Sequence, residues 1–262
     1  MARPAAGEFP YWLVAAVLVG IAAALAIAAS ELYAQVFLTI AKGIWITIFV
    51  TIVAFALASA LGLCVALMGL SGSRVLSQIA RFYIEIIRGV PILVLLFWIA
   101  FAGAPAFVAE WNAVLGGIFG EMQVRDVSLL WRAIIALMIA YSSFIAEIFR
   151  AGIQSVPEGQ IDAAKTLGLS RFQRFRHIVW PQAFRTILPP YSNDFIAMVK
   201  DSSLVSVLGV ADITQMGKIY AAGSFRFFET YSIVAYIYLL LTISLSLALR
   251  GLERRMRKVD EQ

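Results

Sequence analysis

Three charged residues, Asp194, Lys200 and Asp201, stand in a stretch, 191–211, that is otherwise apolar enough to cross a membrane. A charge at mid-bilayer costs about 2.5–3.5 kcal/mol on insertion scales, so such residues face a bundle interior or an aqueous path. Asp194 and Asp201 are seven residues apart and share a helix face, with Asp201 near mid-depth by register. Lys200 points elsewhere and needs its own partner, a protein carboxylate or the carboxylate of a solute. Asn193, Ser202 and Ser203 add hydrogen-bonding capacity, so these six residues form a candidate pathway for a zwitterionic solute. A structural ion-pair network would use the same charges, and the two readings stay open. Glu85 and Arg88, one turn apart, read as an internal pair.

Bond-breaking chemistry has little to work with. One Cys (Cys64) and one His (His177) exclude a disulfide framework and any multi-His or Cys-rich metal site, and both read as ordinary helix residues. No G-x-x-x-x-G-K-[ST] loop is present to cradle nucleotide phosphates, and the Ser, Asp and Glu residues form no hydrolytic motif. No catalytic residue and no metal ligand is assigned. An intramembrane hydrolase is disfavoured for want of a nucleophile and base within the spans.

The elements that carry these residues are predicted to be membrane helices. Of 262 residues, 61% are hydrophobic and 14% charged, with a mean hydropathy of +0.87. A soluble domain is nearer one-quarter charged, so a bilayer must supply the missing burial and the fold class is an all-α membrane protein. Six stretches approach the roughly 20 apolar residues a crossing needs: 11–29, 44–70, 89–109 (its helix starting near Phe82), 129–146, 191–211 and 230–249. The first is longer than the 7–15-residue apolar core of a signal peptide and is expected to be retained. With six crossings and a cytoplasmic N-terminus, segments 1–10, 71–82, 147–186 and 250–262 lie inside and hold 14 of the 21 Lys and Arg residues. That excess orients the chain, both ends inside, and it accounts for the net charge of +5 without nucleic acid. Ala54, Ala58, Gly62 and Ala66 recur every four residues, a small-residue face expected to pack within the chain.

The inner loop 147–186 carries the densest set of local signals. Ser155 and Glu158 are spaced as a capping box with Pro157 in the first turn, predicting a helix from about Val156. Asp162 and Lys165 can pair across one turn. Ile161, Ala164 and Leu167 supply an apolar side, and Gly168 is placed as a left-handed C-cap. Ser170 and Gln173 form a second box, followed by an apolar face of Phe172, Phe175 and Val179 and by Arg171, Arg174 and Arg176, which can snorkel to headgroups. Pro181 is expected to end that helix. The Asp162–Gly168 element buries too little apolar area to anchor in lipid; paired alanines beside a C-cap glycine suit a narrow protein groove.

The run Asp162-Ala163-Ala164, then Gly168, then nine residues, then Ile178 and Pro181, resembles the EAA loop of ABC-importer permeases. Asp162 stands for the usual Glu and keeps its charge; Trp180 stands for the usual Leu and suits an interfacial anchor. RGVPILVLLF from Arg88, AEIFRAGIQSVPEGQ, LPPYSNDFIAMVKDSSLVSVLGVADIT and the tail LERRMRK are similar to the polar amino-acid branch of that family, the histidine, glutamine and arginine type. The similarity covers about residues 40–258.

The resemblance implies a type I permease core of five helices over 36–250, an extra N-terminal helix over 1–35 and a basic cytoplasmic tail over 251–262. It implies a multi-pass subunit of a bacterial inner membrane, moving a polar amino acid by alternating access. Its partners would be an ABC ATPase dimer that binds the ATP and Mg, a periplasmic substrate-binding protein and a second permease, a heterodimer being favoured over a homodimer; this chain would hold no cofactor. The residues expected at the ATPase contact are Glu158, Asp162, Ala163, Ala164, Leu167, Gly168, Phe172 and Phe175. A secondary transporter would leave this loop without a purpose.

Overall fold

The computed structural model describes residues 11–258; the expected inner segment 1–10 and positions 259–262 of the expected tail lie outside them. Every regular element among the described residues is helical, as a chain with no water to satisfy its backbone requires. In order they are α1 (Tyr11–Ala29), α2 (Glu31–Ala41), α3 (Ile44–Gly69), α4 (Arg74–Gly89), α5 (Ile92–Trp98), α6 (Ala104–Val114), α7 (Gly116–Phe119), α8 (Leu129–Gln154), α9 (Glu158–Thr166), α10 (Arg171–Arg174), α11 (Trp180–Asp201), α12 (Ile213–Ser224) and α13 (Phe227–Lys258). Among the described residues four runs are long and apolar enough to cross a membrane: Glu31–Gly69, Ile92–Val114, Leu129–Gln154 and Phe227–Glu253. Val17–Ala29 is a shorter apolar helix, and α11, with the four charges Arg185, Asp194, Lys200 and Asp201, is not among the four. Length and composition therefore single out four of the six expected crossings.

The centre of the fold is α3 packed on α8, with α11 against both. Ala54, Ala58, Gly62 and Ala66 are all buried, as the small-residue face predicts, and they meet another helix of this chain. A Cβ on Gly62 would lie 2.9 Å from the Ser142 carbonyl oxygen and 3.1 Å from the Ala146 nitrogen. Around this contact Val50, Leu137, Ile145, Met198 and Val205 form one buried cluster.

The third expected span is broken. A continuous helix from Phe82 to Ala109 was the expectation; instead α4 ends at Gly89, Val90 is extended (φ −100°, ψ 129°) and α5 begins after Pro91. Proline drives the residue before it out of the helical region. Two π-helical turns, Ile99–Gly103 and Phe175–Val179, each end two residues before a proline, Pro105 and Pro181. The wider turn moves aside the carbonyls that the ring would strike and that lack an N–H partner. Pro181 consequently does not stop the helix: α10, the π turn and α11 run on as one rod, and a 3₁₀ stretch, Ser202–Leu208, continues it.

The α2–α3 corner is seated on the start of α12. A Cβ on Gly43 would fall 2.5 Å from the Asp212 carbonyl carbon and the Ile213 nitrogen. Asp212 caps α12 by accepting from the Gln215 N–H at 2.8 Å, and its other oxygen accepts from the Tyr238 hydroxyl of α13 at 3.1 Å. Thr47 Oγ1 accepts from the Ile213 N–H at 3.3 Å. Asp212→Ala removes a helix cap and one of the two hydrogen bonds of the Tyr238 hydroxyl, the other being to Thr214. A loss of about 1–2 kcal/mol is expected, visible as a lower detergent melting temperature; an unchanged one contradicts the pinning role.

In the connection 102–128 the backbone is held by side chains. Asn112 exchanges two hydrogen bonds with the Met122 backbone, at 2.8 and 2.9 Å. Arg132 of α8 donates to the Val127 carbonyl at 2.8 Å, to Ala100 at 2.9 Å and to Val124.

Candidate functional site

The loop between α8 and α11 is a short helix seated on the base of α11. Ile161 and Ala164 turn inward, Ala164 buried and Ile161 packed with Val156, Ala183 and Ile187. Gln182 of α11 donates to Gln160 of α9 at 2.6 Å. The Asp162–Lys165 pair forms at 2.6 Å. Gly168 adopts φ +77°, the left-handed turn expected of it, with its N–H on the Lys165 carbonyl and the Leu169 N–H on the Ala164 carbonyl at 2.9 and 3.1 Å. The second capping box, Ser170 with Gln173, is present in both directions.

Two local expectations fail here. Ser155 does not cap α9: the residue ahead of the helix is Pro157, and the Ser155 hydroxyl donates to the Gly152 carbonyl at 2.7 Å and to Thr186 Oγ1 at 3.2 Å. It closes α8 and ties it to α11, a tertiary contact that outcompetes the local box. Leu167 is not part of the inward apolar side, for it is 80% exposed. The left-handed turn at Gly168 leaves it at the tip of the loop. Of the eight residues expected at an ATPase contact, Ala164 is buried; Glu158, Asp162, Ala163, Leu167, Gly168, Phe172 and Phe175 are exposed. Phe172 and Phe175 border an apolar cleft of about 710 Å³ with Leu63, Leu67, Ile153 and Trp180. Trp180, expected as an interfacial anchor, is exposed and packs against Phe175 and Phe184.

The charged stretch on α11 splits into two groups. Asp194 and Asp201 are half-buried and act electrostatically on the same phenol, Tyr141 of α8. The Tyr141 hydroxyl donates to Asp201 Oδ2 at 2.7 Å. Asp194 Oδ2 and the neighbouring Ser192 Oγ are buried without a hydrogen-bond partner among the described residues. Asn193 and Lys200 are exposed, away from that pair. Ser202 turns back to the Val199 carbonyl at 2.8 Å, and Ser203 is half-buried. No ion pair involving Asp194, Lys200 or Asp201 occurs among the described residues, so the ion-pair network finds no pair there. Glu85 and Arg88 do not pair either; Arg88 reaches Glu147 of α8 at 2.5 Å and lies over the Phe144 ring. Glu85 and Arg88 both lie within α4, and the packing of α4 on α8 brings Arg88 to Glu147, which no local spacing discloses.

Tyr141 and Glu147 are not legible as site residues because their partners are 60 and 59 residues away in the chain. A usable signal exists for the first: a carboxylate in an apolar span needs a donor, and Tyr141-Ser142-Ser143 is a run of three hydroxyl residues in a neighbouring span. Ser142 bonds the Tyr83 hydroxyl at 2.6 Å, and Ser143 bonds the Ala140 carbonyl, leaving Tyr141 for Asp201. Together these features give a bundle with a polar spot between α8 and α11 and a firmly seated helical protrusion at one end of the same two helices.

Residues 58–258 match the family described as the binding-protein-dependent transport system inner membrane component. A probable amino-acid permease protein of Bacillus subtilis, YxeN, is 38% identical over 228 residues, covering 87% of this chain and 96% of that protein. The glutamine transport system permease protein GlnP of Escherichia coli K12 is 35% identical over 216 residues, covering 82% and 92%. A crystal structure of an amino acid ABC transporter with histidines superposes with a TM-score of 0.70 at 36% identity, covering 85% of this chain and 95% of that one.

Proposed function

The chain belongs to the binding-protein-dependent transport system inner membrane component family, and from that membership we propose that it carries a polar amino acid inward through a bacterial inner membrane as the permease subunit of an ABC importer. The reading takes its substrate class from relatives whose names specify amino acids and glutamine. The observation that carries the mechanism is the loop geometry: α9 is fixed to α11 through Gln160–Gln182 and to its own cap at Gly168, yet holds Leu167 at its tip in the open. A lever must be rigid towards its own bundle and exposed towards its driver.

In this reading a partner ATPase dimer binds ATP and Mg, and its closure draws the loops of two permease subunits together. Glu158, Asp162, Ala163, Leu167, Gly168, Phe172 and Phe175 lie at or beside the contact, with Ala164 seating the helix from below. Docking transmits energy only if it differs between the two states of the transporter. The chain makes six crossings, α1 lying within an extra N-terminal segment 1–35, the core spanning 36–250 and the tail 251–262 lying inside with the N-terminus. A binding protein delivers the solute from outside. The second permease is a related chain in preference to a second copy.

Asp194 and Asp201 with Tyr141 line the path and hold the solute's ammonium group; Ser202 and Ser203 shape its wall, and Asn193 and Lys200 border it from the exposed side. Asp194→Asn and Asp201→Asn are each expected to reduce uptake affinity about tenfold in an intact complex, the weight of one charge-assisted hydrogen bond. Unchanged affinity and selectivity in both variants removes these residues from the path. The function is tested in proteoliposomes holding this permease, its partner permease and ATPase, with ATP enclosed and binding protein outside. Uptake persists when ion gradients are dissipated; uptake that needs a gradient and no ATP overturns the reading.

A further inference from the structure

A cavity of about 330 Å³ opens where the ends of α3 and α8 meet α4. It shares no lining residue with the Asp194–Asp201 spot or with α9. Its floor is apolar, formed by Ala66, Ala80 and Ile84, and its rim is charged: Arg81 and Glu85 from α4, Glu147 and Arg150 from α8. The α8 pair is committed. Glu147 accepts from Arg88 at 2.5 Å and from Arg150 at 3.4 Å, and Arg150 also donates to Gln154 at 2.8 Å. Arg81 and Glu85, one turn apart on α4, form no hydrogen bond or ion pair among the described residues. Within those residues the rim therefore offers one free cation and one free anion, side by side, above a small apolar floor.

Those features select the occupant. A lone anion would meet Glu85 and Glu147, and a lone cation would meet Arg81 and Arg150, so either alone is opposed. A molecule bearing both charges on groups attached to one carbon satisfies both side chains. The volume is at the lower end of small-molecule pockets and is enough for one amino acid. We propose that this cavity binds a free α-amino acid, its carboxylate on Arg81 and its ammonium on Glu85, with the first carbons of its side chain on the apolar floor. In the orientation proposed above the cavity opens to the cytoplasm, so the site senses the accumulated product. The inference rests on the amino-acid permease reading for its ligand class.

The site has a route to the transport cycle. Its α8 wall ends at Gln154, and Ser155–Pro157 alone separate that end from α9. A ligand bridging α4 and α8 holds these two helices in one relation and opposes any state in which they separate. Internal amino acid then slows ATP-driven uptake.

The test uses the permease–ATPase complex in nanodiscs, without binding protein, titrated with L-glutamine and L-arginine. At least one binds saturably, and Arg81→Gln and Glu85→Gln each weaken that binding at least tenfold. N-acetyl-L-glutamine and L-glutamine methyl ester, each lacking one charge, compete at least tenfold less well than L-glutamine. In proteoliposomes, preloaded amino acid slows uptake by the parent complex, and both variants relieve that inhibition while keeping their uptake without preload. Binding that ignores both substitutions overturns the site. Displacement by glycerophosphoethanolamine with no binding of either amino acid assigns the cavity to a lipid headgroup and overturns the ligand class. Absent binding with uptake intact sinks this inference alone, whereas absent ATP-driven uptake in the parent complex speaks against the permease reading.

Discussion

Gly168→Asp is expected to abolish binding-protein-stimulated ATP hydrolysis in the assembled transporter while leaving the protein inserted and assembled. The two halves of that outcome have separate physical reasons. A Cβ at Gly168 meets nothing within 4 Å, so the side chain creates no clash within this chain. The φ of +77° strains most residues by about 1–2 kcal/mol, with Asp among the more tolerant. The fold therefore survives. The contact does not, because an unpaired carboxylate is forced into a surface that docking must desolvate. A charge buried without a partner at an interface costs about 2–5 kcal/mol, a factor well beyond tenfold in the docked population. Gly168→Ala separates strain from charge and is expected to retain most of the stimulation. Normal stimulated hydrolysis by assembled Gly168→Asp would falsify the coupling assignment. Leu167, 80% exposed at the same turn, is the companion position for substitution.

Gly62→Leu is expected to prevent folding outright. The Cβ alone would sit 2.9 Å from the Ser142 carbonyl oxygen and 3.0 Å from Ile145 Cγ2, and backbone atoms cannot move aside as a flexible side chain can. Overpacking a dense core typically costs about 1–3 kcal/mol and sometimes more. Three further heavy atoms between α3 and α8 must part the helices on which the central cluster, Tyr141 included, is built. Membrane-inserted protein should fail to co-purify with its partner subunits, and the little that survives should melt well below the parent. Gly62→Ala gives a graded version, with a measurable drop in melting temperature. A Gly62→Leu protein that assembles and melts normally would show that the two helices do not approach so closely.

The two variants probe different kinds of information. Gly168 was legible in the sequence because a capped helix writes its own ends: Ser170, Gln173, Asp162 and Lys165 act on neighbours within four residues, and all formed as spaced. Ser155 carried an equally good local signal and lost it, because Thr186 and the end of α8 offered its hydroxyl better-placed partners. Pro181 was misleading for a related reason. A proline breaks an isolated helix, but here a π turn absorbs it and the packing of α10 and α11 keeps the rod continuous. Pro91, with Val90 extended before it, did break the helix, and the packing of α4 against α8 gives Arg88 Glu147 as its partner instead of Glu85.

Composition alone determined that this chain belongs in a bilayer, since no soluble interior could hide so much apolar surface. The spacing of small residues determined which face of α3 packs closely, and the local signals from Asp162 to Gln173 determined where the protruding helix ends, though not where it starts. Those features depend on periodicity and on contacts within a turn or two, which a sequence records directly. Tertiary structure decided what the charges in and near the spans meet. Asp201 found Tyr141, Lys200 was turned away from both aspartates, and Arg81 and Glu85 were left unpaired beside a cavity. Each of those outcomes follows from how α4, α8 and α11 are set against one another. A buried charge needs some partner, but only the packed helices determine which one is within reach.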